Sequence, residues 1–155
     1  MNARKNNIFQ LNAQSGFTLM EVMVVLTITI ILVAASVPFY SFFQSFGVLN
    51  SSKQEVLENV RLTQSKARAG ENNSSFGVYF LNNQYTIYQG DSYAGRNQSF
   101  DSLNELPTNF RFSGLSEVKF NLKTGLPSTT GDIAIINNSN NATEKISVNS
   151  VGLIY

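Results

Sequence analysis

The chain has 155 residues, room for one domain plus a membrane segment. Eleven basic and ten acidic side chains give a formal charge of +1, without the clustered positive field that general nucleic-acid affinity needs. No cysteine and no histidine are present, which removes disulfides, thiolate metal sites and imidazole bases; charged residues are only 14%, while Asn and Ser abound, a surface suited to an extracytoplasmic domain.

A polar leader carrying Arg4 and Lys5 stops at Gly16. Behind it stand Phe17-Thr18-Leu19-Met20-Glu21 and an apolar run from Val22 to Phe43, with no further Asp, Glu, Lys or Arg until Lys53. At about 1.5 Å per residue, the stretch from Phe17 to Val37 is roughly 31 Å long, the thickness of a bilayer's hydrocarbon core. Pro38 falls where such a span would end. Basic residues ahead of the span place the leader in the cytoplasm and the C-terminal part outside.

Glu21 is the residue that needs explaining. An ionised carboxylate in a span costs on the order of 2.5–3.5 kcal/mol even on lenient insertion scales, so it requires a partner or a task. Cleavage between Gly16 and Phe17 would create an α-amine one turn ahead of it. Within one helix that pairing is awkward, because the amine sits against the positive end of the helix dipole. Between parallel helices, the carboxylate of one subunit can neutralise the amine of its neighbour and set the register. Two plainer readings compete. Arg4 and Lys5 with Val33-Ala34-Ala35 fit an ordinary secretory signal, and a simple signal anchor would carry an incidental Glu. The basic pair, however, lies far upstream of the apolar run, and Glu21 interrupts what should be its uninterrupted start.

At Gly16, Phe17, Thr18, Leu19 and Glu21, followed by an apolar helix with Pro38, the chain resembles the type IV pilins and pseudopilins. The resemblance implies removal of residues 1–16 by a prepilin peptidase and N-methylation of Phe17. Thr18 and Leu19 complete the recognised stretch, and Glu21 and Pro38 belong to the assembling helix. Removing Arg4 and Lys5 leaves nine basic against ten acidic side chains, a formal −1.

Helical periodicity resumes after an aromatic cluster of Phe39, Tyr40, Phe42, Phe43 and Phe46. Leu49, Val56, Val60 and Ala67 recur at spacings of seven and four with Leu57 beside them, and Gly70 followed by Glu-Asn-Asn-Ser-Ser is a stop signal. The pattern predicts one long helix from Phe17 to about Ala69, kinked near Pro38 and loosened at Gly47. Its first half, 17–43, is transmembrane and then filament core; its second, 44–70, is amphipathic and lies against a sheet.

From Phe76 the period becomes two. Phe76, Val78 and Phe80 alternate with Gly77, Tyr79 and Leu81, and Tyr85 to Tyr88 follows across a hairpin at Asn82-Asn83-Gln84. Gly90 to Ser102 reads as a loop, and Leu103 to Pro107 leads into Phe110-Arg111-Phe112. Val118 to Leu122, Leu126 to Gly131, a hairpin of Asp132–Ile136 with Lys145–Val148, and a closing strand over Val151–Tyr155 complete residues 71–155. The expected fold is α+β, type IV pilin-like: a long N-terminal helix packed on a small antiparallel β-sheet domain. The order of Val118-Lys119-Phe120-Asn121, Gly125, Gly131-Asp132-Ile133, Lys145 to Val148 and Gly152 resembles the family of general-secretion protein H and fimbrial protein T, which implies a minor subunit near a filament tip.

Clusters with other chemistry are scarce. Asp91, Asp101, Glu117 and Asp132 are scattered without calcium-loop spacing, and Gly125 and Gly131 bracket a turn with no following Lys to hold phosphate. No metal and no cofactor is implied. Arg111, Lys119 and Lys123 interleave with Phe110, Phe112 and Phe120, but strand alternation sends bases and aromatics to opposite faces, so nucleic acid is disfavoured. The chain therefore reads as a non-enzymatic minor pseudopilin or pilin-like subunit of a type II protein secretion or type IV pilus system. It would sit in the cytoplasmic (inner) membrane as a single-pass protein, N-terminus cytoplasmic, before entering a pilus or pseudopilus. Its implied partners are other pilin or pseudopilin subunits, the prepilin peptidase, the inner-membrane assembly platform and membrane lipid. The alternatives are a major pilin of a type IV pilus and a DNA-binding competence pseudopilin.

Overall fold

The computed structural model describes residues 16–155, apart from the side chains at 37–39 and 41–43. The expectations for Arg4, Lys5 and the rest of the leader lie outside the described residues, whereas the helix assignment runs on through Pro38. Two compact units divide the chain, one ending at Ser41 and the other comprising Phe42–Tyr155.

Helix α1 runs Leu19–Ala69, and the assignment continues through Gly47 without a break. Thr18 precedes it as the N-cap, and the helix begins two residues later than the start expected at Phe17. In the first unit every described side chain from Phe17 to Ser36 is exposed. The hydroxyls there turn inward on the helix: Thr27 donates to the Met23 carbonyl at 2.8 Å, Thr29 to Val25 at 2.7 Å and Ser36 to Leu32 at 2.7 Å. Polar groups satisfied within the helix leave an apolar cylinder suited to lipid.

In the second unit α1 buries Leu49, Ser52, Val56, Val60, Thr63 and Ala67, in steps of three or four. Leu57 widens this stripe. Thr63 tolerates burial because its hydroxyl donates to the Asn59 carbonyl at 2.7 Å. Gly70 ends the helix in the left-handed region, at φ 69°. The Lys123 amide then donates to the Ala67 carbonyl at 2.8 Å, so a turn from the sheet domain caps the helix.

Seven strands follow: β1 Phe76–Leu81, β2 Gln84–Gln89, β3 Ser102–Glu105, β4 Phe110–Gly114, β5 Glu117–Phe120, β6 Gly131–Asn137 and β7 Thr143–Val148. They form two antiparallel sheets, ordered β3-β2-β1-β5 and β4-β6-β7. The two expected hairpins are present, with Leu81 opposite Gln84 and Ile133 opposite Ile146. Phe76, Val78 and Phe80 of one sheet and Ile133, Ile135 and Ile146 of the other share a single core with the α1 stripe. Phe112 joins the layers, 5.0 Å from the ring of Phe80 and edge-on to Tyr85 at 5.8 Å.

Three expectations change. Ser102 ends the loop and opens β3, paired to β2 through Ile87↔Ser102. Leu126 to Thr130 forms no strand, only a bridge between Phe120 and Pro127. The closing strand is likewise reduced to a bridge between Val148 and Ile154. Its physical cause is Asn149, whose side-chain oxygen accepts the amides of Val151 at 3.2 Å and Leu153 at 2.8 Å and so curls the segment.

The outer face of the first sheet is not left to solvent. Tyr93 stacks on Tyr79 at 3.9 Å, Arg96 lies 3.7 Å from the Tyr93 ring, and the Tyr93 amide donates to Glu117 at 2.9 Å. Tyr88 also donates its hydroxyl to Glu117 and covers Gly77, where a Cβ would collide with the phenol ring.

Candidate functional site: the start of the long helix

The site expected from Gly16, Phe17, Thr18, Leu19 and Glu21 occupies the beginning of α1. Thr18 Oγ1 accepts the Glu21 amide at 3.2 Å, and the Val22 amide donates to the Thr18 carbonyl at 3.2 Å. Thr18-Leu19-Met20-Glu21 is thus the T-x-x-E pattern of a capping box, with a carboxylate in the first turn where the helix dipole favours negative charge. The sequence carried this signal in the three-residue spacing of Thr18 and Glu21, and reading Glu21 solely for assembly passed over it.

Gly16 and Phe17 lie outside the helix and are exposed, Phe17 to 83%. A Cβ built on Gly16 meets no atom within 4 Å, so nothing in the fold of the described residues demands a glycine there. Leu19 is exposed as well. These residues make an accessible peptide segment directly followed by a capped helix. Pro38 belongs to α1, but its side chain lies outside the described ones.

The basic residues weighed for DNA fall on three separate elements. Arg111, on β4, donates from Nε to Asn138 at 2.9 Å. Lys119, on β5 of the other sheet, stands 3.8 Å from Asp91, and Lys123 sits in the turn that caps α1. Phe110 and Phe120 are buried and Phe112 partly so, as strand alternation requires. Among the described residues no group of three or more Asp, Glu, His or Cys side chains could hold a metal. Asp91 accepts from Ser75, Asp101 pairs with Arg96 at 2.8 Å, and Asp132 accepts from Ser147 at 2.7 Å.

Sequence reasoning also missed the polar ties between α1 and the sheets. Gln64 Nε2 donates to the carbonyls of Gly125 at 3.0 Å and Gly152 at 2.7 Å, while Arg61 reaches the Ile154 carbonyl at 2.7 Å. Only folding brings these partners together, since they stand far apart along the chain.

Residues 11–37 match the family described as the prokaryotic N-terminal methylation motif. No curated protein matches the chain. Among solved structures it is similar to the minor pseudopilin EpsH from the Type 2 Secretion System of Vibrio cholerae, with a TM-score of 0.54 and 16% identity over 69% of this chain and 94% of that one. The methylation motif thus falls where the apolar helix begins, and the fold is similar to that minor pseudopilin's. The shared arrangement is an apolar helix whose second half packs on antiparallel sheets. Of the described helices, one is long and apolar enough to cross a membrane, over Leu19–Ser36.

Proposed function

We propose that the chain is a minor pseudopilin of the general-secretion protein H and fimbrial protein T kind, a structural subunit of a type II secretion or type IV pilus machine. Residues 1–16 are its leader, 17–43 its membrane and filament-core helix, 44–70 the amphipathic half of that helix and 71–155 the β-rich domain. It enters the inner membrane with its N-terminus cytoplasmic, meets a prepilin peptidase, and then joins other pilin-like subunits on an assembly platform.

One observation carries the reading. Gly16 has no role in the fold of the described residues, yet it stands three residues ahead of an exposed apolar helix whose early charge is Glu21. A glycine free of intramolecular demands suits an enzyme that must approach the backbone closely. Cleavage there frees the Phe17 amine, and methylation leaves it able to carry positive charge. Glu21, one turn on, costs free energy in lipid until a neighbouring subunit's amine approaches it. Each subunit's carboxylate then aligns its neighbour, and apolar helix faces supply the packing.

N-terminal sequencing and intact mass of the protein recovered from membranes test this. The expected mature chain begins at N-methylated Phe17. A chain beginning at Met1 or at Ser36 would refute the processing and with it the assembly role.

A further inference from the structure

We propose that the groove between the second half of α1 and the open edge of β3 is a docking site for an extended, positively charged segment of a partner protein, which adds as a strand to the first sheet. This goes beyond the assembly role and does not depend on the Gly16–Phe17 cleavage.

The groove has a volume of about 660 Å³ and lies wholly within the second unit. Gly47, Ser51 and Glu55 form its helical wall, and Glu105, Leu106 and Pro107 form the wall opposite. Small residues on the helix keep that wall low. None of the lining residues is basic, and neither Glu55 nor Glu105 takes part in an ion pair among the described residues. Two carboxylates on opposite walls without a cation favour a positively charged occupant.

Backbone geometry specifies its form. The Leu106 amide donates to the Asn83 carbonyl at 2.6 Å, which fixes the phase of the β2–β3 ladder. Gln84↔Glu105 and Thr86↔Leu103 are then non-hydrogen-bonded pairs, so the N–H and C=O groups of Leu103 and Glu105 point away from β2. No partner for them occurs among the described residues.

Other strand edges are occupied in part. On β5, Lys119 accepts from the Ser128 amide at 2.8 Å and Glu117 from the Thr129 hydroxyl at 2.9 Å. On β7, Ser147 exchanges backbone bonds with Tyr155 at 2.8 and 3.2 Å. On β4, the Phe112 amide donates to Asn82 at 2.6 Å. An edge with outward-facing donors and acceptors is a template for strand addition.

Side-chain alternation adds a pattern. Leu103 and Glu105 lie two residues apart on one face of β3, and both are exposed, Leu103 to 58%. An added strand would set an apolar side chain against Leu103 and a Lys or Arg, two positions along, against Glu105. Its cation would also reach toward Glu55 across the groove.

The test uses the full chain in a non-ionic detergent and a labelled, end-blocked peptide Lys-Thr-Val-Thr-Lys, followed by fluorescence anisotropy. Comparison peptides replace both Lys by Glu or methylate alternate backbone nitrogens. Binding of the Lys peptide is expected to weaken about tenfold or more in the Glu55→Gln, Glu105→Gln double variant, and similarly on backbone methylation. Slowed hydrogen exchange at the Leu103 and Glu105 amides should accompany binding. Equal affinity for the Glu peptide, an unaffected double variant, or no binding at millimolar peptide would overturn the proposal. Loss of peptide binding as protein concentration rises would overturn it too, by identifying a second copy as the occupant.

Discussion

Thr18 Oγ1 accepts the backbone amide of Glu21 at 3.2 Å, tying the helix's opening cap to the carboxylate on which assembly is proposed to turn. The same short segment thereby serves two ends. It closes the exposed first turn of α1, and it fixes the height of Glu21 along the helix, as the proposed register role requires. A charge that sets register between subunits must itself be fixed along its own helix, and the cap does this.

Thr18→Ala should remove the cap while leaving the carboxylate in place. The loss is expected to be about 1 kcal/mol of local helix stability. Amide exchange at Glu21 in detergent should quicken about fivefold on that basis, and Thr18→Ser should restore protection. Unchanged exchange in Thr18→Ala would show that the hydroxyl does not hold the turn.

Gly16→Val should leave the β-domain untouched, because nothing packs against this position. In cells it should accumulate as the longer precursor. Glu21→Val should insert and be cleaved but enter sheared filaments poorly. Immunoblots for precursor and mature lengths, followed by filament fractionation, separate the two steps; normal incorporation of Glu21→Val would remove the carboxylate's role in register.

Two glycines should respond oppositely to an added methyl. Gly114 has φ 91°, and its Cβ would run into the Asp132 carbonyl where the chain leaves β4. Gly114→Ala should cost about 2 kcal/mol. Gly47 lies within α1 with open space around it, so Gly47→Ala should stabilise by about 0.5–1 kcal/mol. Urea denaturation followed by near-ultraviolet circular dichroism reads both.

Alkaline pH should loosen the sheet domain through its tyrosines. Burial pushes Tyr85 up to about 12, against the Asn59 hydrogen bond and with help from Glu55. Burial, followed by the hydrogen bond to Glu117, pushes Tyr88 further in the same direction. The folded chain therefore keeps these phenols protonated while the unfolded chain ionises near 10. Their contribution is fully present below pH 10 and is lost as pH rises toward 12 and beyond. Melting temperature should fall across that window, and less steeply in Tyr85→Phe.

Changing Arg111, Lys119 and Lys123 together to Ala should not alter retention on duplex DNA at low salt, because the three lie on separate elements with local polar partners or a capping role. A marked loss of retention would instead assign them a joint surface.

What the amino-acid order settled was local. The length of the apolar run and the single carboxylate defined the helix and its special end, and the alternation at Phe76 to Phe80 defined a half-buried strand, because side-chain periodicity depends only on neighbours in the chain. The Leu49, Val56, Val60 and Ala67 stripe was readable for the same reason. Tertiary structure decided what depends on residues brought from afar: that Ser102–Glu105 joins the first sheet while Phe110–Gly114 joins the second, that Tyr93 folds over Tyr79, and that Asn149 curls a segment otherwise patterned as a strand. Strand partners and sheet edges arise from non-local backbone hydrogen bonds, which every residue offers alike. Their choice, and with it the open edge beside Glu105, therefore emerges only when the whole core has closed.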